Sequence, residues 1–269
     1  MIENLGSKSG VYFTGEHVQE VLNGARIYYP DGAEIDPVPG LHVNGWEFNE
    51  SVEAFFPELS HIELQNSLMS HQGWRNWNTF MEAEIAVLQD IGYEIDRRDW
   101  FGYSVYNSGE EGRPYVWVNT NPFYARNAEG TAYLPGVPNN NPWGIGLHVY
   151  GSHTDVTQAA DILTSGEYAL GIRVDGFNNT LRIAPGVIVR SDGAQGYALA
   201  VTYGKGHHVV HQGELAAAGD QGIAAVFSFG DNELGEDFGQ RGSFIYVNDE
   251  LENENAGEIG LDGALVENF

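Results

Sequence analysis

Apolar residues recur at helical spacing between positions 79 and 93. Thr79 and Glu82 form a capping-box pattern that predicts the helix start, because each side chain can satisfy a backbone N–H group of the first turn. Gly92 predicts its end, since glycine readily takes the left-handed conformation that closes a helix. The face that we expect to be buried holds Met81, Ile85, Leu88 and Ile91.

The residues before this helix predict shorter elements. Residues 11 to 13 have the composition of a short strand, and Val18, Val21 and Leu22 share one face of a short helix that ends at Gly24. Residues 25 to 59 contain prolines and glycines at short intervals, so we expect a loop there.

From residue 97 the sequence becomes rich in aromatic residues and begins to alternate. Aromatic residues between 100 and 106 predict a strand, and residues 107 to 143 predict a linker or capping segment. Four short strand patterns that each end in glycine then follow at steps of 25, 28 and 26 residues: 146 to 151, 171 to 176, 199 to 204 and 225 to 230. Such a period is typical of a solenoid.

One repeat contains three strand patterns, each with apolar residues at period two. These pairs are Ile172 with Val174, Leu181 with Ile183, and Val187 with Val189. The predicted fold class is therefore a mixed α+β N-terminal subdomain followed by an all-β part, a parallel β-helix of about four coils. We expect the subdomain over residues 1–106, the linker over 107–143 and the β-helix over 144–269.

Composition narrows the class of partner. The net charge is −26, so a phosphate backbone or an anionic lipid surface would be repelled, and we expect no nucleic-acid partner. The chain has no cysteine, which excludes disulfides and thiol chemistry. No apolar run reaches the roughly 18 residues of a membrane span, and the first ten residues lack the pattern of a signal peptide.

His61, the N-S-L-M segment at 66 to 69 and the helix at 80 to 91 occur in an order that resembles the C-terminal half of leishmanolysin-like zinc metalloproteases of the metzincin group. This resemblance implies that His61 is the third zinc ligand and that Met69 is the Met-turn residue beneath the metal. The segment N-N-T-L-R-I-A-P-G-V-I-V at 178 to 189 is similar to the passenger coils of bacterial autotransporters, some of which carry an N-terminal metzincin-like domain.

The catalytic motif of that family is missing. Metzincins place two histidines at i and i+4 with a glutamate after the first, and none of the nine histidines here has that pattern. A catalytic zinc needs about three protein ligands and an open position for water. We therefore expect zinc to bind only if further ligands come from outside this chain, and we assign no catalytic residue.

Two other groups of polar residues are candidates for chemistry. Asp175, Asp192 and Asp220 would suit a carbohydrate-cleaving carboxylate pair if they faced one groove, but each lies beside a turn residue, and a structural role is favoured. A second group, predicted to be an exposed turn rather than a metal site, is His207, His208 and His211. His42 and His71 are predicted not to be metal ligands, because metal sites occur as clusters.

The resemblance implies a fragment of a secreted or surface-exposed autotransporter of a Gram-negative bacterium. The expected partners are a peptide or protein substrate or a host surface ligand, with the zinc helix upstream and the translocator barrel downstream of this chain. We expect no proteolysis by the chain alone. The alternative is an adhesin-type binding or structural module, in which the β-helix presents a ligand surface and the protease part is a relic.

Overall fold

The computed structural model describes residues 11–28, 34–37, 40–43, 46–57, 62, 64, 67–69, 79–202, 206–227 and 264–268. Most of the described strand residues belong to parallel β-sheets, and the described residues also include two α-helices and one short 3-10 helix at Arg97–Asp99. Neither described helix is long and apolar enough to cross a membrane.

The N-terminal part combines one helix with short antiparallel strand pairs. Helix α1 spans Glu16–Leu22 and buries Val18, Val21 and Leu22, as predicted. The strands are β1 Val11–Phe13, β2 Arg26–Tyr28, β3 Glu34–Pro37, β4 Leu41–Val43, β5 Trp46–Asn49 and β6 Ala54–Pro57. β1 pairs with β4, β2 with β3 and β5 with β6. The loop prediction for 25 to 59 is wrong, because strands of three or four residues are too short to show a period in sequence.

Helix α2 spans Glu82–Asp90 and starts differently from the predicted capping box. Met81 precedes the first turn, and its N–H donates to the Glu84 carboxylate at 2.7 Å. Thr79 lies upstream in a parallel β-bridge. The predicted box is wrong because Glu82 is bound by arginine side chains, which leaves Glu84 to satisfy the backbone.

Helix α2 is buried on two sides rather than on one. Met81 and Ile85 are buried as predicted, but Ile91 is 56% exposed and lies beyond the last helical residue. Ala83, Ala86 and Val87 are also buried. One side of the helix packs against α1. On the other side, Ile85 packs against Phe101 of the β-sheet part.

The remaining strands form three parallel sheets. The first sheet contains β7 Phe101–Val105, β9 Ile145–Val149, β12 Leu170–Val174, β15 Tyr197–Val201 and β18 Ile223–Phe227. The second contains β8 Tyr115–Asn119, β10 Thr154–Gln158, β13 Thr180–Ile183, β16 His207–His211 and β19 Ala264–Asn268. The third contains β11 Ile162–Thr164, β14 Ile188–Ser191 and β17 Glu214–Ala216.

The glycine-ended segments form adjacent strands, as the repeat predicted. They correspond to β9, β12, β15 and β18 of the first sheet. From β9 onward the chain visits the first, second and third sheets in turn and then returns to the first. The predicted apolar pairs are buried, and they belong to the apolar cluster that the three sheets share. The parallel pairing also includes β7 and β8, which precede residue 144.

Three glycines lie side by side in the first sheet and allow close packing. Gly102, Gly146 and Gly171 occupy equivalent positions on β7, β9 and β12, and Ala198 takes this position on β15. A Cβ atom on Gly146 would lie 2.3 Å from Cγ2 of Ile162 and 2.8 Å from the carbonyl oxygen of Gly171. The core therefore has no room for a side chain at this position.

We expect Gly146→Ala to lower the free energy of unfolding by about 1–3 kcal/mol, since the added methyl group overpacks the core. Ala198→Gly is the matched control in the same row of residues, and it should cost no more than about 1 kcal/mol. Urea unfolding followed by circular dichroism measures both. Equal stability of Gly146→Ala and the wild type would contradict the packing described here.

Candidate functional site

The structure describes only one of the two residues that the metzincin resemblance singled out. His61 lies outside the described residues, as does His71, so the zinc-ligand assignment stays a prediction. Met69 is described and half-buried. Its N–H donates to Oε1 of Glu84 at 2.7 Å. The preceding residue, Leu68, donates its N–H to the carbonyl oxygen of Thr79 at 3.2 Å.

Glu84 ties the Met69 turn to the start of α2. Its side chain is fully buried, and its two carboxylate oxygens accept hydrogen bonds from the N–H groups of Met69 and Met81, both at 2.7 Å. A buried carboxylate is stable only when such bonds replace its hydration. Glu84 therefore has a structural role, and the sequence signal for it was a glutamate three residues after a helix N-cap.

Glu82 joins α2 to the segment that leads into the first sheet. The side chain is 2% exposed, and its Oε1 lies 2.9 Å from Nη1 of Arg98 and 3.3 Å from Nε of Arg97. Burial raises the pKa of Glu82, and the two guanidinium groups oppose this rise. Arg97 also forms an ion pair with Glu20 of α1 and donates to Oε1 of Gln89 at 2.9 Å. These contacts fix the positions of both arginines.

A third carboxylate of α2 binds the start of α1. Asp90 accepts hydrogen bonds from the N–H groups of His17 and Val18 at 2.9 and 3.0 Å. These are first-turn N–H groups, which lack a partner within their own helix. The two helices are thus held together by a carboxylate at one end and by Arg97 along their length.

Four polar side chains are enclosed on the first sheet. Asp175 accepts hydrogen bonds from Nε2 of His148 at 2.7 Å, from Nε of Arg173 at 2.8 Å and from Oγ1 of Thr202. All four residues are at most 1% exposed. We call this group the buried polar cluster. The ring of Tyr150 lies edge-on to His148 with 5.6 Å between the ring centroids.

Burial sets the protonation states in the buried polar cluster. Burial lowers the pKa of His148, and the hydrogen bond and charge of Asp175 oppose this effect only in part. Burial alone would raise the pKa of Asp175, but the charge of Arg173 and the bonds from His148 and Thr202 together lower it to about 2. At neutral pH the cluster therefore contains an aspartate anion, an arginine cation and a neutral histidine that donates through Nε2.

A histidine bonded to an aspartate is also the base and orienting group of many hydrolases. Here the pair is enclosed, so a substrate has no access to it, and its role is structural. The sequence carried a signal for it: G-L-H-V-Y-G and G-I-R-V-D-G align His148 with Arg173 at one outward-facing position. Asp175 was predicted to be a turn residue, and the structure gives it the larger role of holding three strands together.

The remaining predicted residues lie outside the buried polar cluster. Asp192 accepts a hydrogen bond from the N–H of Ala218 at 3.0 Å, and Asp220 is exposed. Because Asp175 is enclosed, it cannot belong to a carboxylate pair that acts on a substrate. His207, His208 and His211 lie on β16, so the prediction of an exposed turn is wrong. Their valine neighbours Val209 and Val210 are buried, which a strand of the second sheet explains.

The described part of the chain shows no group of three or more histidine, cysteine, aspartate or glutamate side chains placed to hold a metal ion. Two open clefts flank the start of β7 instead. The first has a volume of about 350 Å³, lies between α2 and the first sheet and is apolar. Its walls include Phe80, Ile85, Leu88, Trp100, Phe101 and Trp143.

The second cleft, which we call the arginine cleft, has a volume of about 310 Å³. Its walls include Arg98, Arg126, Tyr103, Tyr133, Asn121 and Ala132. Arg126 forms ion pairs with Asp96 and Asp99, and Arg98 donates to the carbonyl oxygen of Gly102 at 2.8 Å. These residues are distant in sequence, and no pattern of spacing predicted that they would meet.

Acid should weaken the fold through the buried polar cluster. His148 has a folded-state pKa below its ordinary 6.5, so the unfolded chain binds the proton more tightly and stability falls as the pH drops below 6.5. Asp175, with a pKa of about 2 against an ordinary 3.8, contributes stability above pH 3.8 that is lost as the pH falls towards 2.

We expect the free energy of unfolding in urea to be lower at about pH 5 than at about pH 7.5, and His148→Gln to reduce this difference. Glutamine has no imidazole to titrate but keeps a side-chain donor for Asp175. An unchanged pH dependence in His148→Gln would assign the effect to other groups.

Comparison with protein-family profiles, with curated proteins and with solved structures finds no match to this chain.

Proposed function

We propose that the chain is the ligand-binding part of an exported surface protein, built as a parallel β-helix with a helical cap, the N-terminal part that contains α1 and α2. The β-helix is supported by the order in which the chain visits the three sheets, which repeats from β9 onward. It is also supported by rows of stacked apolar residues such as Val105, Val149, Val174 and Val201. Such rows are typical of coils that stack with their apolar side chains inward.

The observation that supports a binding function is the contrast between polar groups that are buried and those that line an open cleft. The buried ionisable groups described above are enclosed and already bonded within the protein, as Glu82, Glu84 and Asp175 show. The arginine cleft, in contrast, is open and combines guanidinium groups with aromatic rings. A concave site with apolar walls and a few polar groups is the usual form of a ligand-binding site.

Export to the cell surface of a Gram-negative bacterium, as part of an autotransporter passenger, is the setting that we propose. The acidic composition suits an exported protein of this kind. In this setting the β-helix acts as a stalk, and the arginine cleft is the part that meets a host ligand.

A zinc peptidase lineage is the second candidate. The observation that favours it is the turn at Leu68 and Met69, which Glu84 and Thr79 hold against the start of α2. A Met-turn next to a closing helix is what the metzincin resemblance implies. In that case His61 would bind zinc together with ligands from outside this chain, and the zinc would activate water for peptide hydrolysis.

Removal of one repeat tests the β-helix. Ile183 and His211 are partners on neighbouring strands, so deletion of residues 184 to 211 joins equivalent positions of two successive coils. We expect the shortened chain to fold, with a β-rich circular dichroism spectrum and cooperative unfolding, because stacked coils contact only their neighbours. A deletion of only half that length, residues 184 to 197, is the mismatched control, because it joins the end of β13 to β15, which belongs to a different sheet. Equal loss of structure in both variants would contradict a β-helix.

A zinc titration separates the two candidate functions. For a binding module, we expect the chain to bind less than one zinc ion per molecule, and EDTA to leave the unfolding temperature unchanged, because a zinc site needs about three ligands. His61→Ala and the matched His71→Ala should then behave alike. Stoichiometric zinc binding that is lost only in His61→Ala would favour the peptidase lineage instead.

A further inference from the structure

The loop on one side of the arginine cleft is held in a fixed shape. Oδ1 of Asn127 accepts hydrogen bonds from the N–H groups of Thr131 and Ala132 at 2.8 and 3.0 Å. The N–H of Asn127 donates to the carbonyl oxygen of Ala132 at 2.9 Å, and Arg126 forms a β-bridge with Tyr133. A loop that is ordered before binding loses little conformational entropy when a ligand enters.

The two guanidinium groups of the cleft are fixed from behind and keep donors for a ligand. The bonds of Arg98 to Glu82 and Gly102 leave from Nη1, and so do the bonds of Arg126 to Asp96 and Asp99. Each guanidinium has five N–H donors. Those on Nε and Nη2 take no part in these contacts within the described residues. Arg98 is 30% exposed and Arg126 is 15% exposed, which leaves part of each group accessible.

The aromatic walls supply flat apolar surface beside these donors. Tyr103 stacks on Trp117 with 4.1 Å between the ring centroids and an interplanar angle of 14°, so its ring is held rigidly. Tyr133 lines the same cleft together with the exposed side chain of Asn121. Fixed aromatic faces next to amide and guanidinium donors match a ligand that has one apolar face and a rim of hydroxyl groups.

The charge around the cleft favours a neutral ligand over an anion. Glu82, Asp96 and Asp99 already compensate the charges of the two arginines. The whole chain carries a net charge of −26, so a polyanion would be repelled as it approached. A sugar ring has the required apolar C–H face and hydroxyl rim, and it carries no charge.

We propose that the arginine cleft binds a neutral saccharide, with the sugar ring against Tyr103 or Tyr133 and its hydroxyl groups bonded to Arg98, Arg126 and Asn121. This inference rests on the proposed binding function and names the ligand class of that site. It involves no bond cleavage, since the cleft's described walls contain no carboxylate pair.

Affinity electrophoresis through gels that contain neutral galactomannan, glucomannan or dextran tests the proposal, with polygalacturonate as the anionic probe. We expect at least one neutral polysaccharide to retard the wild-type chain. Ala132→Trp fills the cleft from an exposed position and should weaken binding at least about tenfold. Asn121→Ala removes one donor and should weaken binding less. Ala128→Trp, at an exposed position in the same loop but outside the cleft, is the matched control and should bind as the wild type does.

Unfolding temperatures of all variants are measured in parallel, and Ala132→Trp and Ala128→Trp should agree within about 4 °C, since both change exposed loop positions. Retardation by polygalacturonate alone, by none of the polysaccharides, or equally in Ala132→Trp and the wild type would overturn the proposal. Binding of the labelled chain to epithelial cells gives the separate readout for the binding function. If that binding resists periodate and is lost in Ala132→Trp, the saccharide proposal fails and the binding function stands. If neither cells nor gels bind the chain, both fail.

Discussion

Glu82 brings a carboxylate into the interface between α2 and the first sheet, where water does not reach it. A charge in such a place destabilises the fold by several kcal/mol unless cationic partners and hydrogen bonds replace the lost hydration. Arg97 and Arg98 provide this compensation, and each then contacts a different element. Arg97 reaches Glu20 on α1, and Arg98 reaches the backbone of β7 at Gly102. The two arginines that compensate the buried charge of Glu82 therefore join the helices to the sheet and also fix one wall of the arginine cleft.

The sequence predicted the strands of the three sheets better than the helical cap, and the physical reason differs between the two. In β13 and β14 buried residues alternate with less buried ones, and in β12 the apolar residues Ile172 and Val174 keep the same period of two. In the cap, α2 is buried on two sides, so Ala83 and Val87 are as enclosed as Met81. A single apolar face is then the wrong expectation. The start of α2 was also mispredicted, because the choice between Glu82 and Glu84 as the capping residue depends on distant arginines.

The candidate site could not be predicted from the sequence, for a related reason. Arg98, Asn121 and Ala132 meet at the cleft only because the chain folds back over β7, and their spacing carries no period. The pair of His148 and Asp175 was easier to predict from the sequence, since two successive repeats place polar residues at the same outward-facing positions. Such polar positions normally indicate exposure to solvent. Here they are enclosed, and that fact depends on packing that a repeat pattern does not contain.

The buried polar cluster also answers a problem that repeated strands create. Val105, Val149, Val174 and Val201 form one continuous row, and a row of identical residues packs almost equally well if a strand pairs with the wrong neighbour. Asp175 removes this degeneracy. In the native order its carboxylate meets His148 on the preceding strand of the sheet and Thr202 after the following one. A misplaced strand would leave the aspartate buried without these partners, and an unpaired buried charge is far more costly than an imperfect apolar contact. The apolar rows thus favour stacking in general, and the polar cluster selects which strands become neighbours.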